Sequence, residues 1–236
     1  MTRRRWIADE VQEKTAALLG EHALHLSRVL RAQVGQEFDI VTPAGVHRGK
    51  IVTLSETRVE FELGQSLPEA RLPEITLLLA LFKFDRMEWA IEKVTELGVA
   101  RIVPLIAART EKHLAAAAEK RANRWRRIAA QASEQARRST VPEIADPMKI
   151  DQAVKYGATT RLLLSESEKQ RRLAEALPRS ADGPVALAVG PEGGWTDAEH
   201  AQFLAAGWTP VSLGSTILRA ETAAIAAIAV VMAELQ

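Results

Sequence analysis

Cysteine is absent from all 236 residues, which excludes disulfides, thiolate nucleophiles and thiolate metal sites. Aromatic residues are scarce at 5%, and alanine-rich helical stretches take their place. The longest apolar run, Ala223–Ala233, falls well short of the roughly 20 residues that a membrane span needs. The opening MTRRRWIADEVQEK lacks the apolar core of a signal peptide, so a soluble cytoplasmic protein is expected, with no membrane association. A net charge of +1 gives no global excess that would announce a nucleic-acid partner. Two catalytic signatures are also missing. There is no Gly-x-Ser-x-Gly elbow and no Gly-x-Gly-x-x-Gly turn, which argues against an α/β-hydrolase and a nicotinamide enzyme. Gly45-Val46-His47-Arg48-Gly49-Lys50-Ile51 has one residue too few between its glycines for a phosphate-binding loop, and Ile51 where Ser or Thr is required.

What is present divides the chain in two. Leu18, Leu19, Ala23, Leu26, Val29 and Leu30 recur at helical spacing and predict a helix over 15–31. His22 and His25 fall on it without further ligands, so no metal site is expected. Short β-branched runs at 36–42, 46–54 and 58–63, separated by Pro43, Gly45 and Ser55-Glu56, predict a small barrel or curled sheet. The proline-containing stretch 66–73 marks a boundary, giving domains 1–70 and 71–236. Beyond it, strand 75–82, a helix ended by Gly98, and strand 101–107 make a βαβ unit, hence a parallel sheet covered by helices. A basic, alanine-rich helical stretch runs to about Arg138, followed by a short helix at 151–157, a strand at 161–165 and a helix at 168–177. Thr196-Asp197-Ala198-Glu199 is a capping box. The final helix, 218–235, is apolar almost all round and predicts burial against other helices and a partner subunit, in a homodimer.

The chemistry concentrates at 185–230. Strands 185–189 and 210–213 each run into a glycine loop, Gly190-Pro191-Glu192-Gly193-Gly194 and Gly214-Ser215-Thr216, and each loop leads to a helix. Ligands of α/β sheets bind beyond the carboxyl ends of strands, so the two loops are expected to share one pocket. Its lining is backbone and aliphatic, with Leu213, Ile217 and Leu218, and few charges approach it: Glu192, Arg219 and Glu221. That composition suits an adenine-like ring with a polar tail. Arg219 stands at a helix start, where the macrodipole disfavours a cation, so an anionic partner is expected for it, either substrate or Glu192.

The loop sequences Gly190-Pro191-Glu192-Gly193-Gly194 and Leu213-Gly214-x-x-Ile217-Leu218-Arg219-x-Glu221-Thr222-Ala223 resemble the paired C-terminal motifs of the ribosomal RNA small subunit methyltransferase E family, in the SPOUT superfamily. Asp85-Arg86-Met87-Glu88-Trp89 with Lys93 and Glu96-Leu97-Gly98, then Glu134-Gln135-Ala136-Arg137-Arg138 and Val141-Pro142-Glu143, extend the resemblance toward the middle of the chain. Arg3, Arg4 and Ser27–Arg31 extend it to the N-terminal portion. Thr216 and Phe84 depart from the family's usual residues, which are basic and Gly respectively.

The resemblance implies S-adenosylmethionine-dependent methylation of uridine N3 in 16S ribosomal RNA. It also implies an α/β fold with a C-terminal SPOUT-type trefoil-knotted parallel sheet and an N-terminal PUA-like small β-barrel. Cofactor contacts would come from Leu164, Val189, Gly190, Pro191, Glu192, Gly193, Gly194, Leu213, Gly214, Ile217, Leu218, Arg219 and Thr222. Arg219 would orient the uracil, with Glu192 or Glu221 as a base or a brace. Arg3, Arg4, Arg28, Arg31, Arg137 and Arg138 would meet RNA phosphates. A related enzyme acting on transfer RNA and a non-catalytic RNA-binding assembly module are the alternatives left open.

Overall fold

A computed structural model describes residues 5–68, 72–178 and 183–235. By internal contact the chain forms two compact units, Met1–Arg71 with Ser133–Thr140, and Leu72–Ala132 with Val141–Gln236. The sequence-based boundary at 70/71 falls on residues 69–71, outside the described ones.

The first unit is built on strands β1 (Arg5–Ile7), β2 (Glu10–Gln12), β3 (Thr15–Leu19), β4 (Glu37–Thr42), β5 (Gly45–Leu54) and β6 (Arg58–Ser66), with helix α1 (Gly20–Leu24) after β3. Their order is β1-β4-β5-β6-β3-β2. β1 runs parallel to β4 and the other pairs are antiparallel. Register shifts at His47/Gly49 and Ile51/Thr53 bend β5 against β6, as extra residues in one strand do. Leu18, Ile40, Ile51, Val59 and Phe61 fill the core. The helix predicted over 15–31 is corrected here, because residues 15–19 form a strand and helix begins only at Gly20. Ala and Leu favour helix by a few tenths of a kcal/mol each, and ladder bonds to both β2 and β6 override that preference. From His25 to Val29 the helical turns widen to i→i+5 bonding.

His22 ties parts of this unit together. Its Nδ1 lies 3.1 Å from Asp9 and its Nε2 3.2 Å from Glu134. Hydrogen bonding to Glu134 first, then to Asp9, raises its pKa to about 9, against the opposing cost of burial. A raised folded-state pKa adds stability that is complete below the unfolded value of about 6.5 and lost as pH climbs to 9. His22→Gln is therefore expected to lower the melting temperature at pH 6, and the gap from the parent should close by pH 9.5. A gap independent of pH in paired thermal melts would show that the imidazolium is not what holds this contact.

The second unit contains β7 (Ile75–Ala80), α2 (Phe84–Leu97), β8 (Arg101–Ile106), α3 (Lys112–Gln135, of which the last turn groups with the first unit), β9 (Glu143–Ile144), β10 (Met148–Lys149), α4 (Ile150–Ala153), β11 (Thr160–Leu164), α5 (Leu173–Ala176), β12 (Val185–Val189), α6 (Asp197–Ala205), β13 (Thr209–Val211) and α7 (Ala220–Leu235). All its strand pairs are parallel, in the order β10-β8-β7-β12-β11-β13, with β9 beside β8. Side chains alternate between two cores with the period of a strand. Ile75, Leu77, Leu79, Val185, Leu187 and Val189 face α2, α3 and α7, whereas Leu78, Ala80, Ala186 and Ala188 pack with Ile150, Ala153, Phe203 and Trp208.

The helices follow their apolar periodicity. α2 buries Met87, Ala90, Ile91 and Val94, and Gly98 closes it at φ 110°. α3 buries Ala118, Ala122, Trp125 and Ala129, with the small alanines making room for the indole. Phe84 meets Trp125 edge-on at 5.9 Å and lies 4.8 Å beneath the Arg121 guanidinium. The aromatic ring at 84 thus extends the core and receives a cation on its other side. α7 is wrapped on most sides: Ala220, Ala223, Ala224, Ala227, Ile228, Val231 and Met232 are buried, and Ile225 and Val230 are partly so.

Candidate active site

Because the strands are parallel, the carboxyl ends of β11, β12 and β13 open on the same side, where ligands of such sheets bind. There the two glycine loops meet a third segment, 164–169, around a cavity of about 450 Å³. That size lies within the range of roughly 300–1,000 Å³ typical of small-molecule sites. Leu164, Val189, Gly190, Pro191, Glu192, Gly193, Gly194, Leu213, Gly214, Ile217 and Leu218 all line it.

The first loop is shaped by close approach. A Cβ on Gly190 would sit 3.1–3.3 Å from the Trp195 indole, and Gly194 stands at φ 70° with its amide 2.8 Å from the Pro191 carbonyl. Trp195 cannot retreat easily, since its Nε1 donates to the Leu164 carbonyl at 2.9 Å and its ring packs on Phe203. From the far side, Arg109 donates to the Gly193 carbonyl and, at 3.4 Å, to that of Trp195. The capping box forms as the sequence predicts. Thr196 Oγ1 accepts from the Glu199 amide at 3.2 Å, and Glu199 accepts from the Thr196 amide at 2.9 Å and from the Ala108 amide at 2.7 Å.

Segment 164–169 forms the wall for which only Leu164 was expected. The helix predicted over 168–177 is confined to Leu173–Ala176. Glu168 instead accepts from the amides of Gln170 at 2.7 Å and Arg171 at 3.0 Å, which turns the chain and holds this carboxyl below its ordinary pKa, with Arg171 the larger cause. The serine hydroxyls of 165 and 167 lie 2.8 Å apart. Arg109, Ser165, Glu166, Glu168, Trp195 and His200 are lining residues that sequence reasoning did not select. The capping box beside the first loop was a signal for Trp195 and His200, and the polar run after a strand end was a signal for 165–169.

Three expected site residues lie off the cavity lining. Arg219 and Thr222 are exposed, and Glu221 is buried at 5% exposure. The expected Glu192–Arg219 pair is not formed. Arg86, on the first turn of α2, donates to Glu192 at 3.0 Å and lies 3.8 Å from Glu221. Glu192 is thus already engaged by Arg86, whereas Arg219 stands just before α7, its carbonyl accepting the Ala223 amide at 2.8 Å, with no ion pair from its side chain among the described residues.

Of the expected RNA contacts, Arg3 and Arg4 lie outside the described residues. Within the first unit Arg28, Arg31 and Arg137 are exposed, Arg28 being paired with Glu56 at 2.8 Å. Arg138, also expected to meet an RNA phosphate, is by contrast 8% exposed, and burial pushes its pKa down to about 10. A long basic side chain can be buried along its stem without leaving a trace in the charge pattern of the sequence.

The parallel sheet and its glycine-loop cavity fall within residues 68–232, which match the family model of an RNA methyltransferase domain. The ribosomal RNA small subunit methyltransferase E of Synechocystis is 35% identical over 97% of this chain and 76% of its own length. The Bacillus subtilis protein of the same name is 29% identical over 92% of this chain and 89% of its own length. Among solved structures, the Neisseria gonorrhoeae ribosomal RNA small subunit methyltransferase E bound to S-adenosyl methionine superimposes with a TM-score of 0.85 at 30% identity, covering 99% of this chain and 98% of that one. A Legionella pneumophila methyltransferase in complex with the same cofactor gives 0.83 at 31%, with 99% and 98% coverage. The chain belongs to the ribosomal RNA small subunit methyltransferase E family.

Proposed function

We propose that this chain methylates N3 of a uridine in 16S ribosomal RNA, using S-adenosylmethionine. The observation that carries the reading is the convergence of both motif loops and segment 164–169 on one cavity at the strand ends. The lining fits the cofactor chemically. Leu164, Val189, Leu213, Ile217 and Leu218 offer an apolar seat for a purine, and loop amides and carbonyls offer edges for its nitrogens. Glu166, Glu168, Glu192 and Asp197 outnumber Arg109 and Lys169, which favours a ligand with a cationic centre.

When bound, S-adenosylmethionine supplies an electrophilic methyl group on sulfonium. The chain's own task is to place uridine N3 in line with it and to handle the N3 proton. Arg219 takes the first role. Its guanidinium, exposed and free of ion pairs among the described residues, orients the uracil and stabilises negative charge as the proton leaves. Between the two glutamates, Glu192 lines the cavity and Glu221 does not, which supports Glu192 over Glu221 as the carboxylate that receives that proton. The first unit, as a PUA-like barrel, binds RNA phosphates through Arg3, Arg4, Arg28, Arg31 and Arg137. Its curled six-stranded sheet supports that reading.

The trefoil knot belongs to the same proposal. It is supported by β12 being laid between β7 and β11 after both have passed in the chain. The half-buried flank of α7 supports a homodimer. A ribosomal substrate places the protein in the cytoplasm, and no helix among the described residues is long and apolar enough to cross a membrane. Calorimetric titration with S-adenosylmethionine, joined to nucleoside mass mapping of RNA from a deletion strain, tests the proposal. Loss of one N3-methyluridine from 16S RNA is expected. Loss from transfer RNA instead, or no cofactor binding at all, would overturn it in favour of another RNA target or a binding module.

A further inference from the structure

Glu192 and Glu221 belong to different motifs, the first in the loop after β12 and the second in the opening turn of α7, yet both approach one side chain. Arg86 Nη1 donates to Glu192 Oε1 at 3.0 Å, and its Nε lies 3.8 Å from Glu221 Oε1. Glu221 is buried, and its second oxygen has no hydrogen-bond partner among the described residues. A buried carboxylate without compensation is strongly destabilising, so a cation must stand near it. One planar guanidinium can face two carboxylates at once, which the point charge of lysine does less well.

We propose that Arg86 is a positioning residue for the cofactor cavity, setting the Gly190–Gly194 loop against the start of α7. This rests on the reading that the cavity takes S-adenosylmethionine. Glu192 sits at the centre of a loop whose residues line the cavity, and Ala220 and Ala223, on either side of Glu221, line it as well. Holding both glutamates on Arg86 keeps the walls at one separation. Arg109 secures the same loop from its other side, at the Gly193 carbonyl, so losing Arg86 frees the Glu192 end selectively.

The test compares Arg86→Ala, Arg86→Lys, Glu192→Gln and the double variant Arg86→Ala/Glu192→Gln. Calorimetric titration with S-adenosylmethionine is one readout, and amide hydrogen exchange of the cofactor-free chain is the other. A charge-assisted hydrogen bond corresponds to about tenfold or more in affinity. Arg86→Ala is expected to weaken binding by at least about that factor, and Arg86→Lys and Glu192→Gln by less, since the first keeps a cation and the second keeps the contact of Arg86 with Glu221. The double variant should be no weaker than Arg86→Ala alone, because the contact with Glu192 is already lost with Arg86. Exchange at Gly193 and Gly194 should accelerate in Arg86→Ala before any ligand is added.

Where Arg86→Ala folds poorly, adding Glu221→Gln removes the stranded charge and should restore the melting temperature without restoring affinity. Parent-like affinity and exchange in folded Arg86→Ala would overturn the proposal, as would additive losses in the double variant. If the parent chain itself bound no S-adenosylmethionine, the proposed function would fail, and the exchange measurement would still decide whether Arg86 braces the loop.

Discussion

Replacing Arg219 by alanine is expected to slow methyl transfer by about 10²–10³-fold, the usual loss when one preorganised donor to a developing negative charge is removed. Cofactor affinity and melting temperature should stay close to those of the parent. Arg219 lies outside the cavity lining, is exposed, and makes no ion pair among the described residues, so neither the cavity nor the fold depends on its charge. The helix macrodipole opposes a cation at this end of α7, so the residue is maintained at some cost that an incoming anion offsets. Single-turnover methylation of RNA, measured with saturating cofactor, isolates the step. A rate within a few-fold of the parent would remove Arg219 from the reaction. An equal loss in cofactor affinity would make it a binding residue instead.

Trp125→Ala should produce the largest change in stability. The indole is fully buried between α3 and its neighbours, and truncating a buried aromatic costs about 3–5 kcal/mol through lost burial and the cavity left behind. For a chain of this size that amounts to a melting temperature lower by roughly 6–20 °C. Phe84, which meets the indole edge-on, would lose its partner, and the alanines at 118, 122 and 129 are too small to fill the space. Trp125→Phe should cost much less. The indole Nε1 has no hydrogen-bond partner among the described residues, so removing it also removes an unpaired buried donor. Thermal melts of the two variants check both statements. A Trp125→Phe loss as large as that of alanine would show that the indole's shape, rather than its burial, is what the core requires.

Elements were legible where the deciding interactions are local. The apolar stripe of α2 with Gly98 at its end, the Thr196–Glu199 box, and the short apolar run Val185–Val189 are each set by residues a few positions apart. Residues 15–19 and 168–172 read as helix because their neighbours permit one. Pairing of β3 with β6, whose residues lie 39 to 47 positions away, and capture of two amides by Glu168 decided otherwise. The burial of Arg138 was not legible for a similar reason, since burial of a long side chain leaves no periodic trace.

Composition, periodicity and turn chemistry by themselves determined the parallel α/β sheet, the two glycine loops after strand ends, the exclusion of thiol chemistry, and the lack of nicotinamide-binding and P-loop signatures. These follow from residue types and short spacings, and the chain carries them in any conformation. Only the tertiary structure decided what surrounds the loops. It brought segment 164–169 and Arg109 to the cavity and left Arg219 uncommitted. It also joined Glu192 to Arg86 across 106 positions. Such partners are selected by strand order and by where each element's end comes to rest, and a hydrogen bond or ion pair acts only over a few ångströms of space, whatever the separation along the chain.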